Sequence, residues 1–489
     1  MALIEDDKTV QPDLETTQST ITHATDWFST HDPANPRNFS VARKTYSITA
    51  VTLLAFVTTF AASIYSPGAP EVARLFNVSD EVAILPLSLY NLGLAFGPLI
   101  GSPLSETSGR KIVLLINTPL FALFTLGAGF AHNIETLIIC RFFAGVFAAP
   151  AVGNASATLT DYAASQYRGI SFAFYYSMPT FGAYVGPLIG GFMVQRKGWR
   201  WTQWVTIFFL LAFYIPILFI RESYKKTILR RRAKKLGIEG PPTIPRSLGA
   251  NVRYFATTLF FRPVHMLLTE PIVTLVCLYN GFLFGLMYTF VIASPWVYEH
   301  YYHFSTASQS LSFLGLIIGT GTAPIPLLLL DYFVYQPQLR RFREQKPLET
   351  DQFPPENRLV PALIGSFGLP ISLFIFAWTA RPDIHWIVPI IFQCTTASSS
   401  LLIYASSNLF MMDAYGPLYG ASAAGAAMLS RYLMSTVFPL FSLQMYKALG
   451  VGWATSLLGF CTLAMAPIPW LFWKCGAGLR KRSRYESSL

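Results

Sequence analysis

The chain has 489 residues, 53% of them hydrophobic and 12% charged, with a formal net charge of +11. A soluble domain carries about 25% charged residues, so this composition excludes an ordinary globular enzyme and defines a polytopic membrane protein. The basic excess reads as a topology signal and a membrane-surface effect, with no nucleic-acid partner implied.

The first 44 residues are polar and lack the basic-then-apolar order of a cleaved signal peptide. Residues 1–44 are therefore expected as a cytosolic, largely disordered tail, with the first spanning helix acting as the targeting signal. Apolar windows of about 20 residues can cross the hydrocarbon core as helices. Twelve are predicted: 45–66, 82–103, 111–131, 135–159, 168–194, 200–220, 271–295, 306–330, 358–379, 385–410, 421–446 and 452–473. They group as an N-terminal six-helix bundle (45–220) and a C-terminal one (271–475), joined by a linker (221–270) and followed by a C-tail (476–489). The expected fold class is an all-α membrane protein of two six-helix pseudo-symmetric bundles, with a site between them.

Lysine and arginine set the orientation. With the N-terminus inside, cytosolic segments hold 28 of the 36 basic residues and the outer loops hold 6. Both termini and the linker are thus expected in the cytosol. The linker runs into Arg230-Arg231-Arg232-Ala233-Lys234-Lys235, which is read as an amphipathic helix on the inner leaflet or as a solvated linker.

Several motifs punctuate the spans. The second helix ends Gly97-Pro98-Leu99-Ile100-Gly101-Ser102-Pro103-Leu104-Ser105-Glu106-Thr107-Ser108-Gly109-Arg110-Lys111. Its glycines permit a tight turn between closely packed helices, and its basic pair can meet helix carbonyls or a carboxylate. Asp161 ends the fourth helix and is the natural partner for Arg110, with Glu106 as the acid of the loop itself. Arg141 lies within the fourth helix and Arg431 within the eleventh. A central arginine costs roughly 2.5–3.5 kcal/mol to insert, so each needs a reason to be there. For Arg141 that reason is snorkelling, a structural hydrogen-bond network or a role in transport; for Arg431 it is structural or substrate-linked. The fifth helix carries Gly182-Ala183-Tyr184-Val185-Gly186-Pro187-Leu188-Ile189-Gly190-Gly191. Small residues at helical spacing let a neighbour approach closely, and the proline bends the helix there.

The five cysteines fall in or at the ends of apolar stretches and suggest neither disulfides nor a metal site. His300 and His303 lack a third ligand and read as part of an interfacial aromatic cluster. There is no GxxxxGK[ST] loop for an ATP-driven pump, and no HExxH or other catalytic cluster for an intramembrane enzyme such as an acyltransferase. Asn77-Val78-Ser79 is a glycosylation sequon on the expected outer side.

The GxxxGPxxGG pattern of the fifth helix resembles the antiporter motif of proton-coupled exporters in the major facilitator superfamily. The 97–111 segment resembles that superfamily's signature loop, departing from its common Asp-Arg at Ser105-Glu106. Further matches lie at Asp32–Ser40, Arg262-Pro263, Glu270-Pro271-Ile272, Pro355–Leu359 and Phe438–Phe441. Together they resemble the twelve-spanner drug:proton antiporters of fungi, multidrug and polyamine exporters among them, from residue 32 to the end. The resemblance implies that Arg141 serves proton transfer by holding a fixed positive charge that lowers the proton affinity around it.

A central cavity should draw on Tyr90, Asn91, Tyr175, Phe181, Tyr184, Tyr279, Asn280, Tyr288, Gln393, Tyr404 and Gln444, together with Arg431. Each offers an aromatic body or a hydrogen-bonding tip, which suits amphiphilic organic ligands. Helix packing is the alternative for each. The resulting expectation is a proton-driven exporter of small aromatic or amphiphilic compounds in a fungal plasma membrane, working as a monomer without a bound cofactor or metal. A uniporter, importer or polyamine exporter on the same fold, and a vacuolar membrane, stay open.

Overall fold

The computed structural model describes residues 26, 27, 29, 32–162, 168–239, 261–345, 353–481, 483 and 485; side chains 98–100, 102, 103, 106, 107, 168–170, 417 and 418 lie outside the description. Six long helices form the first half: α1 Val41–Ser63, α2 Asp80–Ser108, α3 Arg110–Gly129, α4 Ile134–Tyr162, α5 Arg168–Lys197 and α6 Arg200–Phe219. The second half opens with α7 Pro271–Tyr302, α8 Thr306–Gln345 and α9 Val360–Thr379. A continuous run from Ile387 to Met465 follows, broken where Gly416 (φ 59°) and Gly450 (φ 71°) leave helical geometry. Left-handed backbone disfavours any residue with a Cβ, so these two glycines separate α10 (387–415), α11 (417–449) and α12 (451–481). One helix falls on each of the twelve predicted spans.

Burial separates central from peripheral helices. In their most apolar windows, 83% of α7 is buried against 28% of α6. α6 exposes Phe208, Leu211, Ile215 and Phe219, and α9 exposes Ile364, Phe367 and Ile371. Apolar side chains at helical spacing, exposed along a face, suit hydrocarbon and not water. Within the first half, α1 packs on α4, α5 and α6, and α2 on α4; within the second, α7 packs on α11 and α9 on α10. The halves meet where α2 crosses α11 and where α5 crosses α8.

Three boundaries differ from expectation. Residues 1–25 lie outside the described residues, but residues 32–44 are ordered and not part of a disordered tail. Asp32 is 2% exposed, pairs with Arg232 at 2.5 Å and accepts the Ala34 amide; Phe39 is buried against Tyr162. Second, α2 continues past the expected end at 103 to Ser108, and the turn comes at Gly109. Gly97 and Gly101 instead let α2 press on α4: a Cβ at Gly97 would meet Ala149, and one at Gly101 would stand 2.8 Å from Pro150 Cγ. Third, the helix expected in the linker is present, as Lys225–Leu236, but it buries Thr227, Leu229 and Ala233. That face is covered by protein, while Arg232 and Lys225 reach back to Asp32 and Asp26. Linker residues 240–260 lie outside the description.

Candidate functional site

Arg141, on α4, is fully buried. Its guanidinium donates from Nη1 to the Ala61 carbonyl (2.8 Å), from Nη2 to that of Ala62 (3.0 Å) and from Nε to that of Pro86 (3.4 Å). It lies 4.4 Å from the Tyr90 ring centroid, and the Tyr90 hydroxyl in turn donates to the Thr58 carbonyl. The arginine therefore ties α4 to the last turn of α1 and to α2 instead of snorkelling. The carbonyls at a helix end lack partners within the helix, which makes the end of α1 a ready acceptor. Tyr90 belongs to this network and stands apart from any cavity.

A charged cluster occupies the end of the first half nearest the termini. Arg110 donates to Ser105 Oγ at 2.6 Å, pairs with Asp161 at 3.6 Å and lies over the Tyr224 ring. Glu222, 8% exposed, accepts the backbone N–H groups of Arg110 (2.8 Å), Lys111 (3.2 Å), Ser223 and Tyr224. A carboxylate on the first N–H groups of α3 satisfies them and complements the helix dipole. Gly109, at φ 102°, is required there because a Cβ would run into the Glu222 carboxylate. Sequence reasoning paired Arg110 with Asp161 correctly but left Glu222 in the linker; Glu106 lies among the undescribed side chains.

The second half repeats this design. Arg358, just before α9, pairs with Asp413 of α10 at 2.5 Å and lies over Tyr335. Glu356 accepts Nε and Nη2 of Arg480 from α12, and a Cβ at Gly476 would meet that same carboxylate. Arg110 and Arg358 stand at the starts of equivalent helices and pair with acids at equivalent places, on α4 and α10, whereas Glu222 caps α3 and Glu356 holds an arginine of α12.

The glycines of α5 divide into two sets. Cβ atoms at Gly182, Gly186 and Gly190 would strike α1: the one at Gly186 would be 2.8 Å from Ile64 N and from Phe60 O. Gly191 instead faces α8 of the other half, where a Cβ would collide with Ser310. Pro187 sits between these contacts, inside the helix. At this same end, opposite the termini, hydrogen bonds cross between halves from Gln444 to Glu81 (2.9 Å) and from the Ala307 amide to Gln195 (2.9 Å), and deeper in the molecule from Asn91 to the Ser435 carbonyl (3.1 Å).

Between the halves lies a small, partly open cavity lined by Thr180 and Tyr184 of α5, Leu283, Phe284 and Met287 of α7, and Ser400, Leu401 and Tyr404 of α10. A larger open recess of about 480 Å³ lies nearer the termini, among α8, α9 and α10, with Ala173 of α5 on its rim. Tyr404 packs edge-on to Tyr176 and Phe284. Arg431 of α11 is 4% exposed and stacks on Phe284 (4.7 Å), Tyr404 (5.0 Å) and Tyr432 (5.4 Å).

Of the residues expected to line the cavity, Tyr184 and Tyr404 do, and Arg431 stands behind them. Tyr279 and Asn280 lie one helical turn from Leu283 and Phe284; the Tyr279 hydroxyl and both side-chain heteroatoms of Asn280 are buried without a hydrogen-bond partner. Tyr288 is buried beside Asn91. Phe181 packs on Phe56, on the α8 side near Gly321. Three expectations are corrected. The Tyr175 hydroxyl is used up on the Val152 carbonyl of α4, Gln393 donates to Ser294 within the second half, and Gln444 is an exposed closing contact. Thr180, Phe284, Met287 and Ser400 were missed. Thr180 and Ser400 lie four residues before Tyr184 and Tyr404, so helical spacing from the aromatic anchors points to them.

Asn77 is exposed as the left-handed cap of the short helix Ala69–Phe76, and Ser79 of its sequon caps α2 by accepting the Val82 amide.

Two helical halves around a shared buried cavity, with lipid-suited outer faces, define a multi-pass membrane transporter. The sequence places it further: the chain belongs to the Major Facilitator Superfamily, whose profile matches residues 51–439. It is 36% identical to the MFS-type transporter traF of Penicillium crustosum, over 95% of this chain and 94% of that one. It is 33% identical to Polyamine transporter 4 of Saccharomyces cerevisiae (99% and 77%) and 32% identical to the efflux pump radE of Floropilus chiversii (95% and 86%). The crystal structure of a D-xylose-proton symporter superposes with a TM-score of 0.64 at 15% identity, covering 88% of this chain and 98% of that one. At that identity the likeness is one of fold.

Proposed function

We propose that the protein exports small aromatic or amphiphilic organic compounds from the cytosol across the plasma membrane, driven by an inward proton gradient, through alternating access of the cavity between its halves. The observation that carries this reading is the cavity itself. Its walls come from both halves, so relative motion of the halves changes its access, and its lining is aromatic and aliphatic with a few hydroxyls. Such a lining binds flat apolar ligands by area and orients them with sparse polar contacts. The distribution of basic residues supports an orientation with the termini inside. The crossing contacts would then close the outer end, leaving the cavity poised toward the cytosol, where an exported compound enters. The relatives named as efflux pumps and the α5 glycine pattern support outward over inward movement. Arg141 would serve coupling as a fixed charge at the junction of α1, α2 and α4. One chain encloses the cavity, which supports a functional monomer.

The relative named a polyamine transporter raises a second reading. A polycation needs carboxylates at the site, since an uncompensated buried charge is costly. The lining of the central cavity holds no acid, and the nearest fixed charge is Arg431. This weighs against polyamines. The test is efflux from sealed vesicles with an imposed pH gradient, following an aromatic toxicant and, separately, spermine. Gradient-dependent movement of the aromatic compound with proton counterflow supports the proposal. Movement of spermine alone, or transport indifferent to the gradient, refutes it.

A further inference from the structure

We infer that Arg431 is the counter-ion for the substrate, so that the preferred compounds are aromatic monoanions, carboxylates above all. This rests on the export reading above and names its substrate class.

Four of the buried or half-buried arginines are treated differently by their surroundings. Arg110 and Arg358 each pair with a carboxylate, Asp161 and Asp413. Arg141 places its guanidinium against three backbone carbonyls. Arg431 is nearly as buried as Arg141, yet among the described residues its guanidinium takes neither an ion pair nor a hydrogen bond. Its Nε is fully enclosed and unpartnered. What surrounds it is a cage of ring faces: Phe284, Tyr404 and Tyr432.

Ring faces stabilise a cation, but they do not satisfy five N–H donors held in a rigid fork. A buried cation without an anion is costly, and the cost falls when a carboxylate arrives to accept two of those donors. The cage is placed where that can happen. Phe284 and Tyr404 stack on Arg431 and at the same time line the cavity. A ligand whose ring lies among Tyr184, Phe284 and Tyr404 would have its acidic group within reach of the guanidinium. The aromatic packing and the charge thus select two parts of one molecule. One cation behind the cavity's aromatic wall matches one negative charge.

The test uses matched pairs that differ only in charge, 1-naphthaleneacetic acid against 1-naphthaleneacetamide and indole-3-propionic acid against its amide. Binding is measured on the purified full chain at pH 7.5, and export in reconstituted vesicles. The wild type is expected to bind each acid at least tenfold more tightly than its amide. Arg431→Gln should remove that preference, bringing the acid-to-amide ratio to about one, and Arg431→Lys should keep part of it. The wild-type comparison needs no variant, so a folding defect in Arg431→Gln leaves the inference testable. Acids and amides bound and exported alike by the wild type would overturn the counter-ion role and leave the export reading standing. So would an undiminished acid preference in a folded Arg431→Gln. Failure of the wild type to move any of the four compounds under a pH gradient would overturn both.

Discussion

Replacing Gly191 with alanine should open the end of the molecule opposite the termini without unfolding either half. The methyl carbon would collide with Ser310 Oγ, and would stand 2.7 Å from Ser310 Cβ and 3.1 Å from the Thr306 carbonyl oxygen, all on α8. Carbon atoms in contact prefer about 3.5–4.0 Å, so α5 and α8 must part by about 1 Å. The hydroxyl can rotate away; the Cβ cannot. Overpacking of this kind costs roughly 1–3 kcal/mol, and each 1.4 kcal/mol is a factor of ten in an equilibrium. The cost falls only on conformations in which α5 and α8 touch here, so the ratio of closed to open should drop by about 5- to 150-fold. Gly186→Ala is the contrasting change. Its methyl would strike backbone atoms of α1 within the same half, which costs stability in every state and shifts none. Gly153→Ala, with nothing within 4 Å, is the silent control.

Spin labels at the exposed positions Leu75 and Leu449, on opposite halves at this end, report the separation. Gly191→Ala should move their distance distribution to longer values, and Ser310→Gly in the same chain should bring it back. Gly186→Ala should lower the unfolding temperature with the distribution unchanged. An unaltered distribution in a folded Gly191→Ala protein would refute the assignment of this glycine to a contact that breaks.

Three further outcomes are expected. Arg141→Ala should abolish gradient-driven transport, and Arg141→Lys should restore only part, because a point charge cannot serve the Ala61, Ala62 and Pro86 carbonyls together; full transport by the alanine variant in vesicles would contradict this. Glu222→Ala should destabilise the protein by about 1–2 kcal/mol in thermal unfolding, the scale of a lost helix cap, whereas Glu344→Ala, exposed on α8, should change little. Epitope tags at residue 240 and at the C-terminus should resist protease added to intact cells, since 28 of 36 basic residues share their side; cleavage of either would reverse the orientation.

The spans were legible because a helix in hydrocarbon has to be apolar over about 20 residues, a constraint that acts within one segment. The Arg110–Asp161 pair was legible for a related reason: both charges sit at helix ends on one side. The glycine-rich stretch 97–109 has two physical uses, a turn or a close helix approach, and spacing alone does not assign each glycine to one of them; the structure gives the turn to Gly109 and the approach to Gly97 and Gly101. Glu222 was missed because its value is entirely tertiary, a carboxylate brought back from the end of α6 to the first N–H groups of α3. The cavity list failed in the same way. Tyr90, Tyr175 and Gln444 have the right chemistry, but their hydroxyl and amide groups are already engaged with Thr58, Val152 and Glu81, which only the packing reveals.

The two ends of the molecule are fastened by different kinds of contact, and the difference bears on how it moves. Near the termini, the Arg110–Asp161 and Arg358–Asp413 pairs, with Glu222 and Glu356 beside them, each lie inside one half. Such contacts are indifferent to how the halves sit against each other; they stiffen each bundle, so that a displacement at the cavity is carried to both ends. At the opposite end the contacts run between halves and are individually slight. Lys447 and Asp80 stand 3.5 Å apart in the open, an exposed pair of the sort that contributes about 0–1 kcal/mol. The Asn91, Gln444 and Gln195 hydrogen bonds contribute about 1 kcal/mol each. A closure built from a few such terms can be reversed by a ligand that binds the other state more tightly by a few kcal/mol. The cavity lies between the stiff ends and the breakable seam, where a ligand's contacts with both halves act directly on that balance.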